Sequence, residues 1–70
     1  MKNVKYIREQ LGLSQDELAK IISVSQSSIS NYERFKQEIS PPVARRLVAL
    51  SKSHGLIVSL DDIYAKEPLQ

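Results

Sequence analysis

Apolar residues recur at helical spacing in short stretches separated by serine, glycine and proline. Val4, Ile7 and Leu11 share one face of a first helix, which starts at Asn3 or a neighbour and runs to about Leu11. Gly12 then offers a left-handed stop. Leu18, Ala19 and Ile22 form the apolar face of a second helix, opened by Ser14 with Glu17 three residues on, the S-x-x-E capping box. Ser23-Val24-Ser25 reads as a tight turn, and Ser25 caps a third helix that turns Ile29, Tyr32 and Glu33 inward. Ser40 before Pro41 is an N-cap followed by proline at the first helical position. The fourth helix runs from Pro41 to about Ser53 and carries Val43, Ala44, Leu47, Val48 and Leu50 over a wide arc. His54 and Gly55 end it. Ser59 opens a last short turn, LDDIY, whose Asp61 and Asp62 suit the positive start of a helix. The LIVS stretch at 56–59 could be extended, but four residues make no sheet. The expected fold is all-α and compact, with five helices.

The third helix has an unusual outer side. Ser27, Ser30, Asn31 and Arg34 lie there with Gln26 at the tip, and no apolar residue among them. A helix held by Ile29 and Tyr32 on one side and lined with small hydrogen-bonding groups on the other can lie in a DNA major groove and read base edges.

Two inward positions are charged. Arg8 falls at i+4 from Val4 on the first helix, and Glu33 at i+4 from Ile29 on the third. An unpaired buried charge would cost several kcal/mol, so the two are expected to pair and tie the first helix to the end of the third. A contact from Arg8 to phosphate fits its facing less well.

Composition narrows the picture. Seventy residues make one domain, expected to have its core at about 3–64 and a loose tail at 65–70. A chain this short buries only about 60% of the surface it would expose unfolded. There is no cysteine, hence no disulfide and no thiolate metal site, and no metal or other cofactor is expected. No apolar run approaches the roughly 20 residues of a membrane span, and the N-terminus MKNVKYIREQ is too polar for a signal peptide. A cytoplasmic protein is expected. The net charge of +2 has the sign expected for a partner made of phosphates, although it is small.

At this point the chain resembles a known family. Gln15, Leu18, Ala19, Ile22, Val24, Ile29 and Tyr32, within SQDELAKIISVSQSSISNYE, occupy the characteristic places of the helix-turn-helix of the Cro and repressor proteins of lambdoid phages and the wider XRE-like family. With LGLSQDELA before it and the capped fourth helix after it, the likeness covers about residues 3–64. It implies a lambda-repressor-like DNA-binding domain whose second and third helices form the motif, with docking geometry as in those repressors. Position by position, it implies that Gln15 touches phosphate and braces Gln26, and that Gln26 bonds adenine through its donor and acceptor. Ser27 falls on a base-contacting position, with Asn31 one turn further on and Ser28 beside it. Two departures stand out. Ser23 occupies a turn position where the family often has glycine, at a cost of roughly 1–2 kcal/mol. Phe35 stands where glycine frequently follows the third helix, and is expected to pack under the loop to the fourth.

Arg34 and Lys36 are the first candidates for DNA backbone contact, with Ser30 beside them and Arg45, Arg46 and Lys52 further along. Pro41-Pro42 removes two donors that a helix start would otherwise offer to phosphate. A module this small reads half a site, so the resemblance implies a homodimer, formed on DNA if not before, on a near-palindromic operator with half-sites roughly 34 Å apart. Leu56, Ile57 and Val58 are the leading dimer contacts, with Leu60 and Ile63 behind them. The size favours a stand-alone Cro-like repressor. A protein-binding module of the same fold, such as an antitoxin, is the main rival. An enzyme is disfavoured: the lone His54 suits a helix C-terminus, and no catalytic partner or small-molecule site is evident.

Overall fold

The chain stops each of its first four helices with the same backbone device. In the computed structural model, which describes residues 2–64, the helices are α1 (Val4–Gln10), α2 (Gln15–Ile22), α3 (Gln26–Glu33), α4 (Pro41–Ser53) and α5 (Leu60–Tyr64). After each of α1 to α4 one residue turns left-handed: Gly12, Ser23, Phe35 and Gly55, at φ 69°, 61°, 58° and 76°. The next amide then donates back five residues, from Leu13 to Arg8, Val24 to Ala19, Lys36 to Asn31 and Leu56 to Ser51, at 2.9–3.0 Å. This satisfies carbonyls that a helix end leaves orphaned. Glycine takes the conformation freely at two of the stops, whereas Ser23 and Phe35 carry a Cβ into it.

The starts are equally regular. Asn3, Ser14, Ser25 and Ser59 each accept a hydrogen bond from the backbone amide three residues on, at 3.0–3.1 Å. Ser14–Glu17 is a reciprocal capping box. Ser59–Asp62 is a second one, its carboxylate accepting from the Ser59 amide at 3.0 Å. Ser40 occupies the N-cap of α4 but makes no side-chain cap bond there. Pro42 has no amide to offer at one of the two positions such a cap can reach.

Among the described residues there is no strand. Val4, Ile7, Leu18, Ala19, Ile22, Ile29, Tyr32, Val43, Ala44 and Leu47 form the core, closed by Ile39, Val58 and Ile63. α3 packs on α2 and α1, and α4 on α2 and α5. Ser51, fully buried, donates its hydroxyl to the Leu47 carbonyl at 2.8 Å. No described helix is long and apolar enough to cross a membrane. The expected tail at 65–70 lies outside the described residues.

Three expectations change. Val58 and Ile63 are buried in the core, so neither is free to meet a partner. Leu56 packs partly against the same core, and of the leading trio only Ile57 stands free, at 76% exposure. Phe35 does not tuck under its loop. The residue has a left-handed backbone and is 39% exposed, at the rim of a recess it shares with Tyr32, Ile39, Ile63 and Tyr64.

Arg8 and Glu33 do pair. The Arg8 Nε donates to Glu33 Oε2 at 2.6 Å and Nη2 to Oε1 at 3.2 Å, with the side chains 17% and 7% exposed. The Arg8 Nη1 also donates to the Leu13 carbonyl at 3.1 Å. The hydrogen bond to Glu33 raises the Arg8 pKa against the opposing effect of desolvation.

Arg8→Ala should cost roughly 3 kcal/mol in chemical denaturation, because Glu33 is left nearly buried without its cation. The double change Arg8→Met with Glu33→Leu should restore most of that loss. Ser23→Gly should stabilise by about 0.5–1 kcal/mol in the same assay, since glycine adopts the left-handed turn without strain. The Asp62 carboxyl is held below the usual aspartate range, chiefly by the Ser59 backbone amide. Its cap therefore contributes above the ordinary aspartate pKa and is lost as pH falls through the lower, folded value. A carboxyl-detected NMR titration should find its midpoint below the usual aspartate range.

Candidate nucleic-acid interface

The turn between α2 and α3 sets two helix starts side by side. Gln15 is the first residue of α2 and Gln26 the first of α3, each just after a serine cap. α2 ends at Ser23, and the Arg46 guanidinium of α4 donates to the carbonyl of Ile22 at 3.0 Å, clamping that end. Ile29 and Tyr32 are buried behind α3. Its other side is left open.

That open side is a shallow concavity of about 450 Å³ lined by Gln15, Gln26, Ser27, Ser30, Asn31 and Arg34. Among the described residues, none that lines it is acidic or apolar. Gln26 and Ser27 are exposed, while Gln15, Ser30 and Asn31 are half-buried. No residue of α4 or α5 lines it. The face expected to read DNA is thus presented outward by an apolar back.

Local bonds orient several of these groups. Gln15 Nε2 donates to Glu33 Oε1 at 3.2 Å. The resemblance implied that Gln15 would brace Gln26, but its amide is held here by the ion pair. A carboxylate only accepts, so it takes an N–H of Gln15 and leaves the amide oxygen free as an acceptor. That oxygen is complementary to the NH₂ of Gln26. Asn31 Nδ2 donates to Gln37 Oε1 at 3.4 Å, a tether between α3 and the following loop. Arg34 folds back on its own helix, Nη2 donating to Ser30 Oγ at 2.8 Å and Nε to the Ser30 carbonyl at 3.4 Å.

Two expected site residues lie elsewhere. Ser28 accepts a hydrogen bond from Ser25 Oγ at 3.0 Å and gives its amide to the same oxygen, so its hydroxyl serves the helix cap. It does not line the concavity. Lys36 is exposed on the loop after α3 and borders the recess of Phe35 instead. Arg34 and Lys36, two residues apart, thus belong to different faces. Asp16, the carboxylate nearest the start of α2, pairs with Lys20 at 3.2 Å, an exposed i,i+4 contact of small energetic weight.

Sequence reasoning missed the clamp by Arg46, the tether by Gln37 and the hold of Glu33 on Gln15. Each depends on how close two elements come, which no periodicity reports. The glutamine hold alone left a trace: Glu33 was already assigned inward, and a carboxylate can serve more than one donor.

The helix-turn-helix family model matches residues 4–50, from the start of α1 into α4. The chain belongs to the XRE-like helix-turn-helix family. Among its relatives is a protein of Thermococcus gammatolerans named as an HTH-type transcriptional regulatory protein, 45% identical over 47 residues, covering 67% of this chain and 15% of the relative. A protein of the same name in Sulfurisphaera tokodaii is 43% identical over 49 residues, covering 70% of this chain and 17% of the relative. The chain therefore spans about one sixth of the length of these relatives. No solved structure matches it closely.

Proposed function

We propose that this helix-turn-helix chain binds double-stranded DNA in a sequence-specific way and regulates transcription, most simply as a Cro-like repressor that occupies its operator. The observation that carries the reading is the open polar concavity on α3, backed by buried Ile29 and Tyr32. In this reading α3 enters the major groove. Gln26 meets an adenine through its paired donor and acceptor, Ser27 reads with less discrimination, and Asn31 meets the next bases or the groove wall. Gln15 offers its remaining N–H to phosphate and its oxygen to Gln26. Lys36 and the loop after α3 follow the DNA backbone, fixing register rather than sequence.

A single recognition helix covers half a site, so two copies meet on a near-palindromic operator with half-sites about one turn apart. The exposed apolar Ile57 and Leu60 support a contact on that side of the molecule. Leu56 reinforces it from its half-buried position. The names of the two relatives agree with regulation of transcription.

Selection from random DNA followed by affinity measurements tests this. A two-fold-symmetric site should emerge, with affinity that falls steeply as salt rises. Gln26→Ala should relax the preference at one base pair per half-site by roughly 1–3 kcal/mol, whereas Lys36→Ala should weaken every sequence alike. No enrichment of any sequence would defeat the proposal. A strict monomer on the selected DNA, by sedimentation, would defeat the dimer.

A further inference from the structure

Arg34 was expected to grip phosphate, yet its place in the structure suits another task. It closes α3 and could have extended toward the groove wall. Instead it runs back one turn, and its charge sits over the middle of the outward face with Ser27, Ser30 and Asn31. The cation with an independent route to the backbone, Lys36, lies outside this concavity. Among the described residues Arg34 pairs with no carboxylate.

The way Ser30 holds it decides which donors remain. Nε and Nη2 form one edge of the guanidinium, and both are spent on Ser30, on its carbonyl and its hydroxyl. The end-on edge, one N–H from each of Nη1 and Nη2, has no partner among the described residues. Two parallel donors on a planar group match the O6 and N7 acceptors of guanine, the commonest specific arginine contact in the major groove. Ser30, a small neutral residue, can orient the guanidinium without neutralising it.

We infer that Arg34 is a base-reading residue that selects a guanine, with Ser30 as the positioning residue that aims it. This rests on the proposal that α3 reads DNA, and extends it to a second kind of base. Ser30 stands four residues after Gln26, about 6 Å along the helix, and Arg34 eight, about 12 Å. At 3.4 Å per base-pair step, the guanine falls about two to four pairs from the pair read by Gln26. The half-site then joins an A·T pair read by glutamine to a G·C pair read by arginine.

The experiment starts from the site selected by the wild-type chain. Replacing each guanine in turn by 7-deazaguanine, which lacks the N7 acceptor, should cost the wild type about 10-fold or more at one position two to four pairs from the Gln26-dependent pair. Arg34→Ala should remove that sensitivity and accept other pairs there. Arg34→Lys, which keeps the charge but not the planar fork, should lose the discrimination while preserving the salt dependence. Ser30→Ala should narrow it. Thermal melts followed by circular dichroism verify that each variant is folded. The inference fails if Arg34→Ala weakens all sequences equally and lowers the salt slope by about one, the behaviour of a phosphate contact. It also fails if no guanine at that spacing depends on residue 34 while Gln26→Ala still relaxes its own position; DNA reading by α3 would then stand without it. Absence of any selected sequence overturns both.

Discussion

A nearly buried ion pair holds this small domain together and reaches its working face. Glu33 is the last residue of α3 and looks inward, where a lone carboxylate could not stay ionised cheaply. Arg8 of α1 meets it with two donors and sends a third to the Leu13 carbonyl in the loop before α2. Oε1 of Glu33 has capacity left, and the Gln15 amide fills it. One carboxylate therefore relates α1, the start of α2 and the end of α3. The same contact orients a side chain on the outer surface. Stability and recognition are coupled here through two oxygens of a single residue.

Around that pair, stability is assembled from short-range devices. Helices of five to thirteen residues are too short to persist alone. Their ends are accordingly well satisfied, by side-chain caps at four of the starts and a repeated left-handed stop at the first four ends. At two stops the chain accepts a strained backbone. The strain at Ser23 is compensated nearby, since Arg46 secures the last carbonyl of α2, that of Ile22, from another helix. At Phe35 it leaves an aromatic ring partly in solvent, beside the loop that departs from α3.

The concavity is polar throughout but not uniform. At the Gln26 end, side chains are exposed and little constrained, as suits groups that meet a partner's edges. At the Arg34 end they are already bonded to one another, Arg34 to Ser30 and Asn31 to Gln37. Pre-bonded groups lose less conformational freedom on binding. The face thus joins an adaptable tip to a prearranged heel.

Periodicity and capping residues were sufficient for the architecture, because they are local: Ser14 with Glu17, Ser25 before Gln26 and Ser40 before Pro41 mark helix starts wherever the chain lies. The inward placement of Arg8 and Glu33 was likewise legible, since two opposite charges on the apolar faces of a core this small have few other ways to be satisfied. The outer row of α3 followed from the same helical count. Tertiary structure alone decided the rest. Val58 and Ile63 look like a partner's contacts in the sequence but close the core, because α5 packs back on α4 and carries its own Ile63 inward, with Val58 buried just before it. Arg34 and Lys36 look interchangeable as neighbouring cations but face different sides, because the chain turns left-handed at Phe35 between them. Hydrophobic pattern determines which side of a helix is buried, whereas the partner a polar group finds depends on distances between elements that are remote in the chain.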